Sequence, residues 1–392
     1  MNFLDSIREC GYEIKDEIIS WRRILHAIPE LRMDTPLTEA EIVRILREIG
    51  ISEIRQGVGG HGVCAVIQGE QNGKCLGIRA DCDGLPIEEE TGLPFASKNG
   101  NMHACGHDAH TAMALGAAKI LNKHKNLLKG CVKFIFQPYE EGDGGAKRML
   151  ADGVLENPKV DAIIALHNHC TENDNYLPGD VLITKEPISA NIYSYEAVFK
   201  GTSSHICLAN TANNAVYMAA AAISKIAEMP KENECINAVS MIHAGVRNNI
   251  ISESCSISGS IRAFDRNKHN QIKEQVFEIL NESAKKFGGS VDIKTTIDLM
   301  STKNDEKLYE SFCKTVNALY PKRNTITLKD RELIGEDFAR FADIIPALYF
   351  KLHTKPKNGC YPLHHPKFNV NEEVLYKGSV LFAGFALTWQ ER

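Results

Sequence analysis

Apolar and polar positions switch period several times along this chain. Up to about Ile49 the apolar residues recur at helical spacing, interrupted at Pro29 and Pro36. Short apolar runs of strand type follow at 62–68 (GVCAVIQ) and 74–81 (KCLGIRAD). Then come a helical stretch at 109–124, a strand at 130–137 (GCVKFIFQ), a helix at 145–155 and a strand at 161–169 (DAIIALHNH). Buried strands alternating with helices predict a parallel sheet covered on both faces, with ligand sites at the carboxyl ends of its strands. From about residue 187 the pattern changes. A strand at 191–201, an apolar helix at 213–229, strands at 235–245 and 254–264, an amphipathic helix at 270–289 and a strand at 290–297 read β-α-β-β-α-β, a ferredoxin-like split unit. The strand at 254–264 alternates cleanly, with Cys255, Ile257, Gly259, Ile261 and Ala263 on one face and serines and Arg262 on the other. A helix at 305–319, GEDFARF at 335–341, an apolar run at 346–352 and a closing helix at 374–389 complete the chain. The expected fold class is α/β. A mostly parallel sheet covered by helices is built from 1–186 and 299–392, with a smaller α+β domain inserted at 187–298.

Composition narrows the classes. A length of 392 residues predicts about two domains. The 43% hydrophobic and 24% charged fractions are those of a globular protein. A net charge of −5 with no basic block argues against a nucleic-acid partner. The N-terminal stretch lacks the basic start and apolar core of a signal peptide. No run reaches the ~18 apolar residues of a membrane span; AVYMAAAAISKIA (215–227) comes closest and reads as a buried helix. Twelve scattered cysteines read as reduced core residues. The expectation is a cytoplasmic protein with no membrane or nucleic-acid partner.

Four polar constellations fall where strands end. Asp81 and Asp83 close one run, Glu140 and Glu141 follow another, His167 and His169 end a third, and MHACGHDAH (102–110) precedes the helix at 109–124. Each alone has an ordinary explanation as a cap, a turn or a solvated face. Together they converge on one sheet edge. Cys105, His107, Glu141, His167 and His364 or His365 offer mixed thiolate, imidazole and carboxylate donors, which suit zinc, with manganese, cobalt or nickel as alternatives. Neighbouring glutamates diverge, so one can bind metal while the other faces a water as base. The rival chemistry is a thiol enzyme with Cys105 as nucleophile and His103 or His107 as base; it leaves the glutamate pair and His167 without a role. GDGGAK (142–147) lacks the spacing of a phosphate loop.

LHAIPEL (25–31), RADCDGLPI (79–87), MHACGHDAH, FQPYEEGDGGAKRML (136–150), ALHNH (165–169), NNIISESCSISGSIRAFD (248–265), GEDF (335–338) and PLHHPKFNVNEE (362–373) occur in this order. In them the chain resembles the aminoacylase and carboxypeptidase superfamily of di-metal amidohydrolases, in the branch of hippurate hydrolases and indole-acetyl-amino-acid hydrolases. The resemblance implies a catalytic domain at 1–186 and 299–392 and a lid and dimerisation domain at 187–298. It implies two divalent ions per chain, zinc or manganese, held by Cys105, His107, Glu141, His167 and His364, with Glu140 as general base and Asp83 supporting the ligands. His205 would stabilise the oxyanion, delivered from the partner subunit of a homodimer, and Asn249 and Arg262 would hold the free carboxylate of the substrate. The implied partner is a small-molecule N-acyl amino acid, hydrolysed to a carboxylic acid and an amino acid. A dipeptidase of the same superfamily and a non-catalytic binding descendant are the alternatives. The chain departs from its relatives around His205 (SSHICLANTANNAV lacks a downstream Pro-His), at Cys170 and at Ser252, where relatives carry proline. These departures remove no ligand but leave the acyl preference open.

Overall fold

The structure, a computed structural model, describes residues 3–389 apart from 143, 173–174, 232, 322–324 and 330. The amphipathic start forms α1 (Phe3–Glu13), α2 (Lys15–His26) and α3 (Pro36–Ile49). Pro36 opens α3, where a missing N–H costs nothing, and Gly50 ends it in the left-handed conformation. Next come β1 (Ile54–Val58), β2 (Gly62–Gln68), β3 (Gln71–Asp81), α4 (His107–Lys123), β4 (Lys129–Gln137), α5 (Gly145–Ala151), β5 (Ala162–His169) and β6 (Val181–Ile183). A middle segment holds β7 (Asn191–Lys200), β8 (Ser204–His205), α6 (Ala215–Ala227), β9 (Cys235–Ala244), β10 (Ile250–Ile251), β11 (Ser254–Ala263), α7 (Arg266–Lys286) and β12 (Ser290–Leu299). The chain ends with α8 (Glu306–Leu319), β13 (Ile326–Thr327), α9 (Ala339–Ala342), β14 (Ala347–His353) and α10 (Leu375–Trp389). It divides into two units, Met1–Ile188 with Thr302–Asp330 and Asp337–Arg392, and Ser189–Ser301 with Arg331–Glu336.

The first unit is built on an eight-stranded sheet ordered β1-β2-β4-β3-β5-β14-β6-β13. Its centre, β4-β3-β5-β14, is parallel, so these strands end at one edge. Every residue of β5 and β14 is buried. Side-chain alternation divides β5 between two cores: Ala162, Ile164 and Leu166 join the cluster containing α4 and α10, whereas Ile163 and Ala165 join Met149, Phe338 and Phe341. Parallel pairing does not extend across the whole sheet. The β1–β2 hairpin pairs antiparallel, because a connection as short as 59–61 can only reverse the chain, and β2 also runs antiparallel to β4. On the other side β6 pairs antiparallel with β14 and parallel with β13. The brief strands β1, β6 and β13 carry too few apolar positions to stand out in the sequence.

The second unit has a four-stranded antiparallel sheet ordered β12-β7-β11-β9. Helices α6 and α7 share one core with the inward residues of β7 and β11, among them Tyr195, Phe199, Cys255 and Ile257. Gly259 faces Tyr195 across the ladder, and a Cβ there would stand 2.6 Å from the tyrosine hydroxyl. Helix α7 starts at Arg266, before the periodic apolar positions begin, because Asp265 caps it by accepting from Lys268 N at 2.8 Å. The short β8 and β10 form a separate ribbon. Residues 331–336 belong with this unit through Ala190 N–H donating to Ile334 O (2.8 Å) and Arg262 Nη1 donating to Leu333 O (3.0 Å). Among the described residues no helix is long and apolar enough to cross a membrane.

Candidate metal centre

The parallel strands of the first unit deliver their polar ends to one edge. Strand β3 leads into Asp81, Cys82 and Asp83, β4 leads into Glu140 and Glu141, β5 carries His167, and α4 begins at His107. Gly106 sits before α4 at φ 88°, and a Cβ on it would stand 2.3 Å from Asn168 Oδ1. Only glycine meets both demands. Its neighbour is thereby fixed, since Asn168 Nδ2 donates to Cys105 O at 2.8 Å. Tyr139 (φ 58°) and His364 (φ 65°) are left-handed without being glycine, so backbone strain flanks both the glutamate pair and the last histidine. His364 is held by donating its N–H to Ala104 O at 2.9 Å.

Five donors from these segments converge. Cys105 Sγ lies 3.3 Å from His167 Nε2, and Glu141 Oε1 lies 3.9 Å from His107 Nε2 and 3.1 Å from His364 Nε2. Ligand atoms of Cys105, His107 and His167 fall within 4.8 Å of one another, and so do those of Cys105, Glu141 and His364. The ring orientations suit metal ligands. His107 Nδ1 donates to Asp83 O at 2.9 Å and His167 Nδ1 to Asn168 O at 2.6 Å, since a carbonyl can only accept. For His167 that short bond outweighs a marginal 3.5 Å contact from Asn168 Nδ2. In the neutral ring each Nε2 is then the atom left to offer a lone pair. His107 Nε2 is buried with no hydrogen-bond partner.

Charge makes the same point. Burial, and then the charge of Glu141, push the Cys105 thiol well above its usual range. Burial pulls His107 down, but Asp81 and Cys105 outweigh it and hold the ring's pKa well up. Burial and His110 keep His167 neutral. Burial would raise Glu141, but the hydrogen bond from His364 and the charge of His107 keep it low. Without a cation this field favours a proton on each of Cys105 and His107. A divalent cation would replace both. The residues therefore fit a metal. The same field disfavours Cys105 as a free nucleophile, which would need a thiolate.

The remaining candidates separate. His365 stacks on Tyr361 (4.6 Å between centroids) and its Nδ1 accepts from Lys367 N, whereas His364 Nε2 lies beside Glu141 Oε1. His169 pairs with His353 at 3.1 Å. His103 is buried with both ring nitrogens lacking partners, and burial lowers its pKa to about 4. Asp83 supports the site on three sides. Its Oδ1 accepts from Glu140 N (3.0 Å), its Oδ2 from Glu141 N (3.3 Å), and its carbonyl from His107.

Sequence reasoning overlooked the layer beneath. His110 is saturated, donating from Nδ1 to Asp81 Oδ1 (2.6 Å) and accepting at Nε2 from Asn168 N (2.9 Å). Arg79 bonds Asp81 (2.9 Å), Gln137 (3.0 Å) and Asp337 (3.0 Å), all buried. Asp337 also accepts from Gln137 Nε2 and from Ala146 N, and its own N–H reaches Glu140 Oε1 at 3.4 Å. The available signal was Arg79 and Asp81 two apart in an otherwise apolar strand, charges that demand buried partners.

His205, Asn249 and Arg262 all lie in the second unit. His205 pairs with Ile250, and Asn249 O accepts from Ile206 N at 3.0 Å, so these two are neighbours. Arg262 lies eight residues beyond the start of β11 at Ser254, roughly 26 Å along the strand at about 3.3 Å per residue.

The family model of peptidase family M20/M25/M40 matches residues 77–388. Thermostable carboxypeptidase 1 of Saccharolobus solfataricus is 33% identical over 409 aligned positions, covering 100% of both chains. N-acetylcysteine deacetylase of Bacillus subtilis is 33% identical over 377 positions, covering 94% of this chain and 96% of its own. A dinuclear metal-binding peptidase of family M20 from Bacillus subtilis superposes with a TM-score of 0.82 at 33% identity, covering 97% of this chain and 99% of its own. A centre of aimed imidazoles, thiol and carboxylates on this fold is therefore that of a metal-dependent hydrolase acting on linear amides, and the chain belongs to peptidase family M20/M25/M40.

Proposed function

We propose that this enzyme hydrolyses N-acyl amino acids to a carboxylic acid and a free amino acid, using two divalent ions, zinc or manganese, held by Cys105, His107, Glu141, His167 and His364. The observation that carries this is the pair of histidines whose Nδ1–H groups are spent on carbonyls while their Nε2 lone pairs face the thiol and carboxylate. Bound there, the metal would polarise the scissile carbonyl and acidify a water. Asp83 holds the backbone of both glutamates, so Glu141 is kept as ligand and Glu140 as base. Glu140 takes the water's proton and passes it to the leaving nitrogen. His205 donates to the oxygen on which charge develops. Asn249 and Arg262 hold the substrate's carboxylate, Arg262 through its two-pronged guanidinium.

A small substrate cannot touch Asn249 and Arg262 of one chain if a strand's length separates them. In that case a second chain would bring them together, and we assign the second unit the role of lid and dimerisation domain in a homodimer. Twelve cysteines with none in a disulfide among the described residues suit the cytoplasm. A second reading, removal of a C-terminal residue from short peptides, is favoured by the carboxypeptidase relative and uses the same carboxylate clamp. The test is metal analysis followed by turnover, with each metal, of N-acetyl, N-benzoyl and long-chain N-acyl amino acids beside dipeptides. About two ions per chain and faster turnover of acyl amino acids are expected. Full activity with one ion or none would defeat the metal assignment, and preference for dipeptides would favour the second reading.

A further inference from the structure

His205 is the last residue of β8 and caps the 3-10 turn Ile206–Thr211. Its Nδ1 accepts the backbone N–H of Cys207 at 3.3 Å, and Cys207 Sγ lies 3.0 Å from the same nitrogen. A backbone amide can only donate. Nδ1 must therefore present its lone pair, and the neutral ring carries its single proton on Nε2. The thiol, within hydrogen-bond reach of the same nitrogen, can donate to that lone pair as well. The ring is exposed, so burial does little to orient it and the clasp at Nδ1 does most. The opposite tautomer would turn its N–H into the turn and offer a lone pair to the substrate, which repels an oxygen gaining negative charge.

We propose that Cys207 is a positioning residue. Its backbone N–H and thiol hold Nδ1 of His205, so that the Nε2 proton is the one offered to the substrate's carbonyl oxygen. The proposal rests on the oxyanion role given to His205.

The test is 15N spectroscopy of the histidine rings in zinc-loaded holoenzyme, with His205→Ala assigning the signal, read beside steady-state kinetics. A wild-type His205 held wholly as the Nε2–H tautomer is expected where the ring is neutral. Cys207→Pro, which lacks the amide, should show a tautomer mixture and lose about tenfold in kcat, with KM within about twofold. Cys207→Ala keeps the amide and should keep the tautomer while losing about threefold in kcat, and Cys207→Ser, restoring a donor, should recover most of that loss. A wild-type His205 in the Nδ1–H form, or in a mixture like that of free histidine, overturns the proposal even if the turn does not accept proline. An unchanged kcat in Cys207→Ala overturns the part given to the thiol. Full turnover by His205→Ala removes the oxyanion role, whereas the tautomer signal tests the clasp by itself, so the two failures are distinguishable.

Discussion

Glu140 and Glu141 differ in what surrounds their carboxylates. Glu141 Oε1 faces His107 and His364, whereas Glu140 Oε1 meets the backbone N–H of Asp337. Glu140→Gln should keep its metal and lose on the order of 10²–10⁴ in kcat, because an amide accepts no proton. Glu141→Gln should lose metal first. Paired metal analysis and kinetics decide, and the reverse pattern would exchange the two roles. A second residue-scale prediction concerns His26. Asp108 Oδ2 lies 2.7 Å from both Arg22 Nε and His26 Nδ1, and Glu89 Oε1 lies 3.0 Å from His26 Nε2. Burial and Arg22 lower the His26 pKa, Asp108 and Glu89 raise it, and the net shift from 6.5 is upward. A group raised in the folded state contributes its full stability below the unfolded value and loses it as pH climbs through the folded one. Urea unfolding should therefore show stability declining above about pH 6.5. His26→Gln should be less stable at pH 6 and have a flatter profile; a slope equal to wild type would contradict the charged imidazole.

At the scale of elements, the buried ions tie β3, β4, α5 and the segment before α9 into one platform for the site. Arg79 is fully buried, and Asp337 balances it while also receiving the first turn of α5 through Ala146 N. Removing one partner of a buried pair leaves a charge without compensation. Asp337→Ala should cost about 3–5 kcal/mol, since it removes the carboxylate that Arg79, Gln137 and Ala146 N share. Asp337→Asn, keeping an acceptor, should cost less. Equilibrium unfolding measures both, and a loss below about 1 kcal/mol for alanine would mean that Asp81 alone suffices for Arg79.

At the scale of the whole molecule, the prediction is complementation. If His205 and Asn249 serve the site of a second chain, a His205→Ala chain mixed with a Glu140→Gln chain should regain activity, each being nearly inactive alone. One of the two sites in such a heterodimer has both its base and its donor. No recovery after proven subunit exchange would place His205 within its own chain or outside the reaction. The edge strand β9 would give such association a physical reason, since among the described residues its outer side pairs with no strand and Ile236, Met241 and Ile242 stand exposed on it.

What was legible in the sequence was local. The buried runs at 130–137 and 161–169, the alternation at 254–264 and the apolar helix at 374–389 each state their own element, because period and burial are properties of one segment. The donor-rich MHACGHDAH and the paired glutamates were legible for the same reason, and the rule that parallel strands place their ends together was enough to expect them at one edge. Only the tertiary structure decided what depends on distant partners: β4 lying between β2 and β3, Gly106 against Asn168, Arg79 against Asp337 across 258 residues, and the return of 331–336 to the second unit. Those contacts are set by which long loops close when both faces of the sheet are covered. No local period records that choice, so it exists only once the chain is folded.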